Sequence, residues 1–335
     1  MVEVWLRYGK TMVFTDLEDS FEILQPKKAW DRIEETAEKL AEKIDDNCRK
    51  LIVDYVHGVA GLEHVLRSVV RAFQLRGLDF QELEVLVSSW RYGDLAVEKS
   101  LLNIMKSLVA EWSLKKVSQT DLSDEALSDA VVVSPSVYWD GTVVCYHDFF
   151  DYVGFQPHSV VVSPVAGYSG VVVDVLIGEN IQRDELVQKT LEAASYTASN
   201  NPQIIIAGCP GHPTDSRLSA CINLASAVIN LHPNKVVIFA LECSEGLGPK
   251  TFTNTLLGKE QNVLFERRVD AWKTAASKHK ICLVTALPST IVNEILGARQ
   301  CDTLDQAIVY GRRVKSREAN VLFAENILGT MLTGF

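Results

Sequence analysis

The side chains that could hold a small ligand or move a proton fall in a few short segments, each directly after an apolar run. Asp54 and His57 follow Leu51-Ile52-Val53, and Trp90 and Arg91 follow Leu83-Glu84-Val85-Leu86-Val87. His212 and Asp215 follow Ile204-Ile205-Ile206, and Glu242 and Glu245 follow Val236-Val237-Ile238-Phe239-Ala240. Short apolar runs rich in β-branched residues read as buried strands. In open parallel sheets, ligands bind beyond the carboxyl ends of the strands. The pattern therefore places Asp54, His57, Trp90, Arg91, His212, Asp215, Glu242 and Glu245 around one interdomain cleft. On the residues alone, the loop 208–215 suits a carboxylate or phosphate contact.

Each segment has two readings. Gly208-Cys209-Pro210-Gly211-His212-Pro213-Thr214-Asp215 joins a strand to a helix start, where glycines admit a close backbone approach and a helix end attracts an anion. It equally suits a tight turn with Asp215 as N-cap. Glu242 is either a ligand contact or a buried, hydrogen-bonded carboxylate. His57, His147, His158 and His212 fall in loops or at strand ends, but no HxH or HxxxH spacing pairs them as metal ligands. His57 and His212 are the candidates for any metal contact. The absence of GxGxxG, GxxxxGK[ST] and GxSxG argues against a nucleotide-phosphate enzyme or a serine hydrolase.

The elements between these segments form an α/β pattern. A hairpin is expected over Val4–Tyr8 and Thr11–Phe14, turned at Gly9-Lys10. Trp30, Ile33, Ala37, Leu40 and Ile44 mark one helix face, and Leu62, Val65, Leu66, Val69 and Phe73 mark another, closed at Gly77. Residues 97–112 read as a further amphipathic helix. Val160–Val162 and Val171–Val173 read as a hairpin about Gly167-Tyr168-Ser169-Gly170. Further helices are expected over 182–198, from Asp215 to Leu231, within 251–278, and from a Thr303/Gln306 capping box to a stop at Gly311. The whole is expected to be two α/β domains, each a mostly parallel sheet with helices on its faces. They would span 1–200 and 203–335, with the last segment able to return to the first domain.

Composition narrows the partners. The 335 residues are 47% hydrophobic and 23% charged, and the net charge is −10. No basic run stands out, so nucleic acid and anionic membrane are not expected partners. No leader-like segment or bilayer-length apolar stretch is visible, which suggests a cytoplasmic protein. The seven cysteines include no CxxC and read as reduced thiols. Homo-oligomerisation is left open.

At the loops the chain resembles the nickel-dependent lactate racemase family. Leu6-Arg7-Tyr8-Gly9 is similar to the family's opening. Asp54 falls in the counterpart of its D-x-T-R-P segment, and Trp90-Arg91 in that of its G-x-H-R segment. Gly211-His212-Pro213-Thr214-Asp215 is similar to its G-Y-P-x-D turn, and Glu242-Cys243-Ser244-Glu245-Gly246-Leu247-Gly248 to its E-C-x-E-G-x-G segment. The resemblance covers about 1–95 and 160–330. It implies a 2-hydroxy-acid racemase or epimerase whose nickel-pincer nucleotide, tethered to a lysine, accepts and returns hydride. Asp54, His57 and Arg91 would then be catalytic, and Trp90, His212, Asp215, Glu242 and Glu245 would contact the ligand.

This sequence departs from that pattern. The family's Arg falls at His57, its Pro at Gly58, and its His before Arg91 at Trp90. The lysine position reads Val173 on one alignment. On the other it falls in 131–150, around Tyr138-Trp139-Asp140-Gly141-Thr142, which holds no lysine. Lys106, Lys115, Lys116 and Lys189 are the nearby amines, in or beside expected helices. The cofactor is therefore unknown. A divergent enzyme and a catalytically inactive paralogue that binds a small ligand or a protein partner remain the two readings.

Overall fold

The computed structural model describes residues 2–17, 21–54, 59–78, 84–88, 113–116, 130–153 and 160–334. It opens with an antiparallel hairpin of β1 (Val2–Tyr8) and β2 (Thr11–Leu17), in which Tyr8 faces Thr11 across the turn. Strand alternation sorts its side chains. Val4, Leu6 and Leu17 are buried in one cluster with Ile204, Ile206, Val236 and Ile238, while Trp5 and Arg7 point away and are exposed.

The first large sheet holds β4 (Lys50–Asp54), β5 (Glu84–Ser88), β6 (Ser113–Lys116), β7 (Ala130–Val133), β10 (Val160–Ala166) and β11 (Val172–Gly178). Their order is β11-β10-β7-β4-β5-β6, parallel except for the antiparallel β10–β11 hairpin. Between β7 and β10 lies a small hairpin, β8 (Val137–Trp139) with β9 (Thr142–Val144). The second sheet holds β13 (Ile204–Ala207), β14 (Val236–Ala240), β15 (Lys280–Val284), β16 (Arg299–Cys301) and β17 (Val321–Ala324), and β3 (Phe21–Ile23) forms its edge beside β17. The order is β16-β15-β14-β13-β17-β3, all parallel.

Strands such as Ile204–Ala207 and Val236–Ala240 are buried throughout. That explains why they read as continuous apolar runs rather than alternating ones. The helix Leu62–Leu75 buries Leu62, Val65, Leu66, Val69 and Phe73 at helical spacing, and Gly77 follows its end at φ +65°. One apolar core joins the two sheets, with Val53 and Val131 of the first in the same cluster as Ile205 and Val237 of the second. No helix among the described residues is long and apolar enough to cross a membrane.

Three expectations are corrected. Residues 215–231 do not form one helix: Leu218–Cys221 is a short α-turn that passes into the 3-10 segment Ile222–Val228. Every residue from 218 to 228 is buried, and the amides of Leu218 and Ser219 bond to Gly246 and Leu247 of a neighbouring loop. A helix with no polar face, its first donors claimed by another segment, loses its regular start. Gly311 does not end its helix, which runs Leu304–Val314. A Cβ there would sit 3.3 Å from Ile204 Cδ1 and 3.4 Å from Val236 Cγ1, so this glycine serves close packing on the sheet. The helix expected at 182–198 ends at Ala194, and β12 (Ser195–Tyr196) instead pairs with β18 (Met331–Leu332). The helix expected over 97–112 lies outside the described residues.

Candidate functional site

Three of the segments singled out from the sequence, Leu6–Gly9, Gly211–Asp215 and Glu242–Gly248, meet around Gly9. Its amide donates to Asp215 Oδ2 at 2.6 Å, and its carbonyl accepts the His212 amide at 2.9 Å. Gly9 holds φ +57°, and a Cβ there would lie 2.1 Å from Glu242 Oε2. Asp215 also accepts the Glu242 amide at 3.4 Å, and its own carbonyl takes the Cys243 amide at 2.6 Å. The hairpin turn, the turn after β13 and the loop after β14 are thus one hydrogen-bonded unit.

This geometry decides several roles. Asp215 is fully buried and is not the N-cap; Arg217 occupies that position. Burial pushes the Asp215 carboxyl above its ordinary range, Glu242 adds to the rise, and the amides of Gly9 and Glu242 pull against it. Burial first, then Cys243, Glu242 and Asp215, pushes the Tyr8 phenol up to about 12. Glu242 is half-buried, accepts from Ser244 Oγ at 2.9 Å, and its carbonyl takes the Ala286 amide at 2.8 Å. Glu245 is exposed and pairs with Arg217 at 2.6 Å. These three acids hold loops together, and none lines the adjoining cavity.

That cavity, about 780 Å³, opens where the carboxyl ends of β4, β13 and β17 approach the outer face of the first hairpin. Its wall includes Trp5, Arg7, His212, Ser169 and Asn326. Arg7 reaches Pro210 O at 3.5 Å, and His212 is half-buried. Ser169, at φ +62°, is fixed by Thr330 Oγ1, which accepts its amide at 3.1 Å, and by Asn326, which donates to its carbonyl at 2.9 Å. Exposed Glu3, Glu63 and Glu325 line it as well, so its wall also carries three carboxylates. The arrangement offers one guanidinium, one imidazole and several hydroxyl or amide groups on a partly apolar wall.

Of the residues nominated from sequence, His212 alone among the described ones reaches this wall. Asp54 ends β4 fully buried and accepts from Ser134 Oγ at 2.8 Å. His57, Trp90 and Arg91 lie outside the described residues, as does His158, while Val59 and Ala60 just after His57 do line the cavity. The His147 ring sits 3.3 Å from Cys145 Sγ, away from it. Arg7, Ser169 and Asn326 are the groups that sequence reasoning missed. The signal for Arg7 was present: alternation along β1 puts Arg7 with Trp5, opposite Val4 and Leu6.

Together these features define a protein of two mostly parallel α/β sheets with a cavity where their strand ends meet. It is similar to the lactate racemase apoprotein from Thermoanaerobacterium thermosaccharolyticum, with a TM-score of 0.65 over 99% of this chain and 100% of that one, at 11% identity. The chain therefore has a lactate-racemase-like fold. No protein-family model and no curated protein matches it.

The described residues do not fit a lysine-tethered pincer nucleotide. Val173 lies half-buried in β11 against Gly167. Lys189 holds Asp174 at 3.1 Å, and no lysine is among the described residues lining the cavity. Lys115 and Lys116 lie in β6, in register with Leu86 and Val87; Lys106 and the helix expected before them lie outside the described residues. Among the described residues no group of three His, Cys, Asp or Glu is placed to hold a metal ion.

Proposed function

We propose that this chain binds a small 2-hydroxy or related carboxylic acid, without a covalent cofactor, in the cavity between its sheets. The observation that carries the reading is Arg7 on the wall of a cavity of about 780 Å³, with His212 on the same wall. Small-molecule sites are typically about 300–1,000 Å³, largely apolar with a few placed polar groups. A guanidinium accepts a carboxylate through two parallel hydrogen bonds. The ligand's hydroxyl would meet His212, Asn326 or Ser169. Calorimetric titration with D- and L-lactate and longer 2-hydroxy acids tests it. Saturable binding that Arg7→Ala weakens at least tenfold is expected; no saturable binding, or full affinity in the variant, contradicts it.

A divergent isomerase is the second reading, favoured by His212 alone. An imidazole on the wall could take a proton from the ligand and return it. Racemisation of an enantiopure 2-hydroxy acid, abolished by His212→Gln with binding retained, would establish that activity.

A further inference from the structure

We propose that a second pocket, at the amino ends of β15 and β16, binds a phosphorylated small molecule. It lies at the end of the sheet opposite the cavity described above. Its volume is about 550 Å³, and Lys280, Arg299, Asn293, Gln300 and Tyr310 line it. No carboxylate is among the described residues lining it. The chain carries a net charge of −10, so a pocket with two cations and no acid runs against the average surface.

Arg299 is held in place. Arg299 lies over the Tyr310 ring at 4.4 Å, which orients the guanidinium before any ligand arrives. The Gln300 amide donates to Asn293 Oδ1 at 3.4 Å, fixing that wall. His279 is committed elsewhere: its ring nitrogens meet Val228 O at 3.0 Å and the Lys235 amide at 3.4 Å. Further lysines stand near the amino end of the neighbouring strand β14, where the Lys280 amide donates to Lys235 O at 2.9 Å. Lys278 donates to Ile229 O at 2.7 Å, and Lys315 donates to Asn234 O. Lys235 is buried there, and its ammonium is pushed down by burial and then by Lys315. A phosphate brings two charges and several acceptors, which suits an arginine fork beside a lysine point charge. The volume leaves room for the ester group as well.

The test is calorimetric titration of the full chain with inorganic pyrophosphate and with ribose 5-phosphate. Saturable binding is expected, weakening as salt rises. Arg299→Gln and Lys280→Gln should each lower affinity at least tenfold, and Arg7→Ala should leave it unchanged. Lys280 is exposed, so its variant keeps the test valid if Arg299→Gln folds poorly. No saturable binding, or wild-type affinity in Lys280→Gln, overturns the proposal. Phosphatidylcholine vesicles containing phosphatidic acid give the second arm and are expected not to capture the protein. Capture by those vesicles without binding of the soluble esters would assign the phosphate to a lipid headgroup and overturn the small-molecule reading.

Discussion

The Gly9 amide and the Asp215 carboxylate meet at 2.6 Å in the interior, joining residues 206 apart in sequence. Glu242 packs against the same glycine, so three loops depend on one residue without a side chain. Gly9→Ala should therefore be costly. A non-glycine residue at this φ costs about 1–3 kcal/mol, and the new methyl must also displace the Glu242 carboxylate. Urea unfolding should show a lowered midpoint; an unchanged one would mean the turn can rearrange.

Asp215 gives a pH signature. Its folded pKa is raised above the ordinary 3.8, so the folded state holds the proton more tightly than the unfolded chain. The stability tied to this group is full below 3.8 and falls as pH rises through the raised value. Asp215→Asn keeps an acceptor for Gly9 and does not ionise, so its stability relative to wild type should improve as pH rises from 3.8 toward neutrality. Asp215→Ala leaves the Gly9 amide unpaired and should lose about 1–3 kcal/mol throughout. Equal stabilities for the two variants at every pH would contradict this.

Asp140 and Arg268 form a buried pair at 3.3 Å, with side chains 10% and 5% exposed, linking the β8–β9 hairpin to the helix Val263–Lys278. Removing one partner takes the ion pair from the other buried charge, and such a loss costs up to about 3–5 kcal/mol. Arg268 recovers part of that from Ser219 O, to which it also donates at 3.2 Å. Asp140→Ala and Arg268→Ala should each destabilise strongly, and the double variant should lose less than their sum. Additive losses in a double-mutant cycle would show that the pair is not coupled.

The fold is legible in the sequence because strands such as Ile204–Ala207 and Val236–Ala240 are buried on both faces and need unbroken apolar runs. The helix Leu62–Leu75 is equally plain from its spacing. The site is less so. A strand-end rule places Asp215 and Glu242 near a ligand, but their use depends on contacts with Gly9, which no local pattern encodes. Gly311 misleads for a related reason: a glycine that lets a helix approach a sheet looks in sequence like one that stops it. Arg7 is visible as an outward strand residue, but only the packing of Val4 and Leu6 on the second sheet turns that face toward a cavity.

A lactate-racemase-like fold with no lysine at either expected tether position is expected to carry no covalently bound nucleotide. Intact-mass analysis tests this most directly, on protein produced together with the enzymes that make the nickel-pincer nucleotide. Val173 stands at one position expected for the tether, and Lys189 is engaged with Asp174. The expected result is the unmodified mass of the chain, with no stoichiometric nickel. A mass increase equal to the nucleotide, with one nickel per chain, would contradict the account and show that another lysine carries the tether.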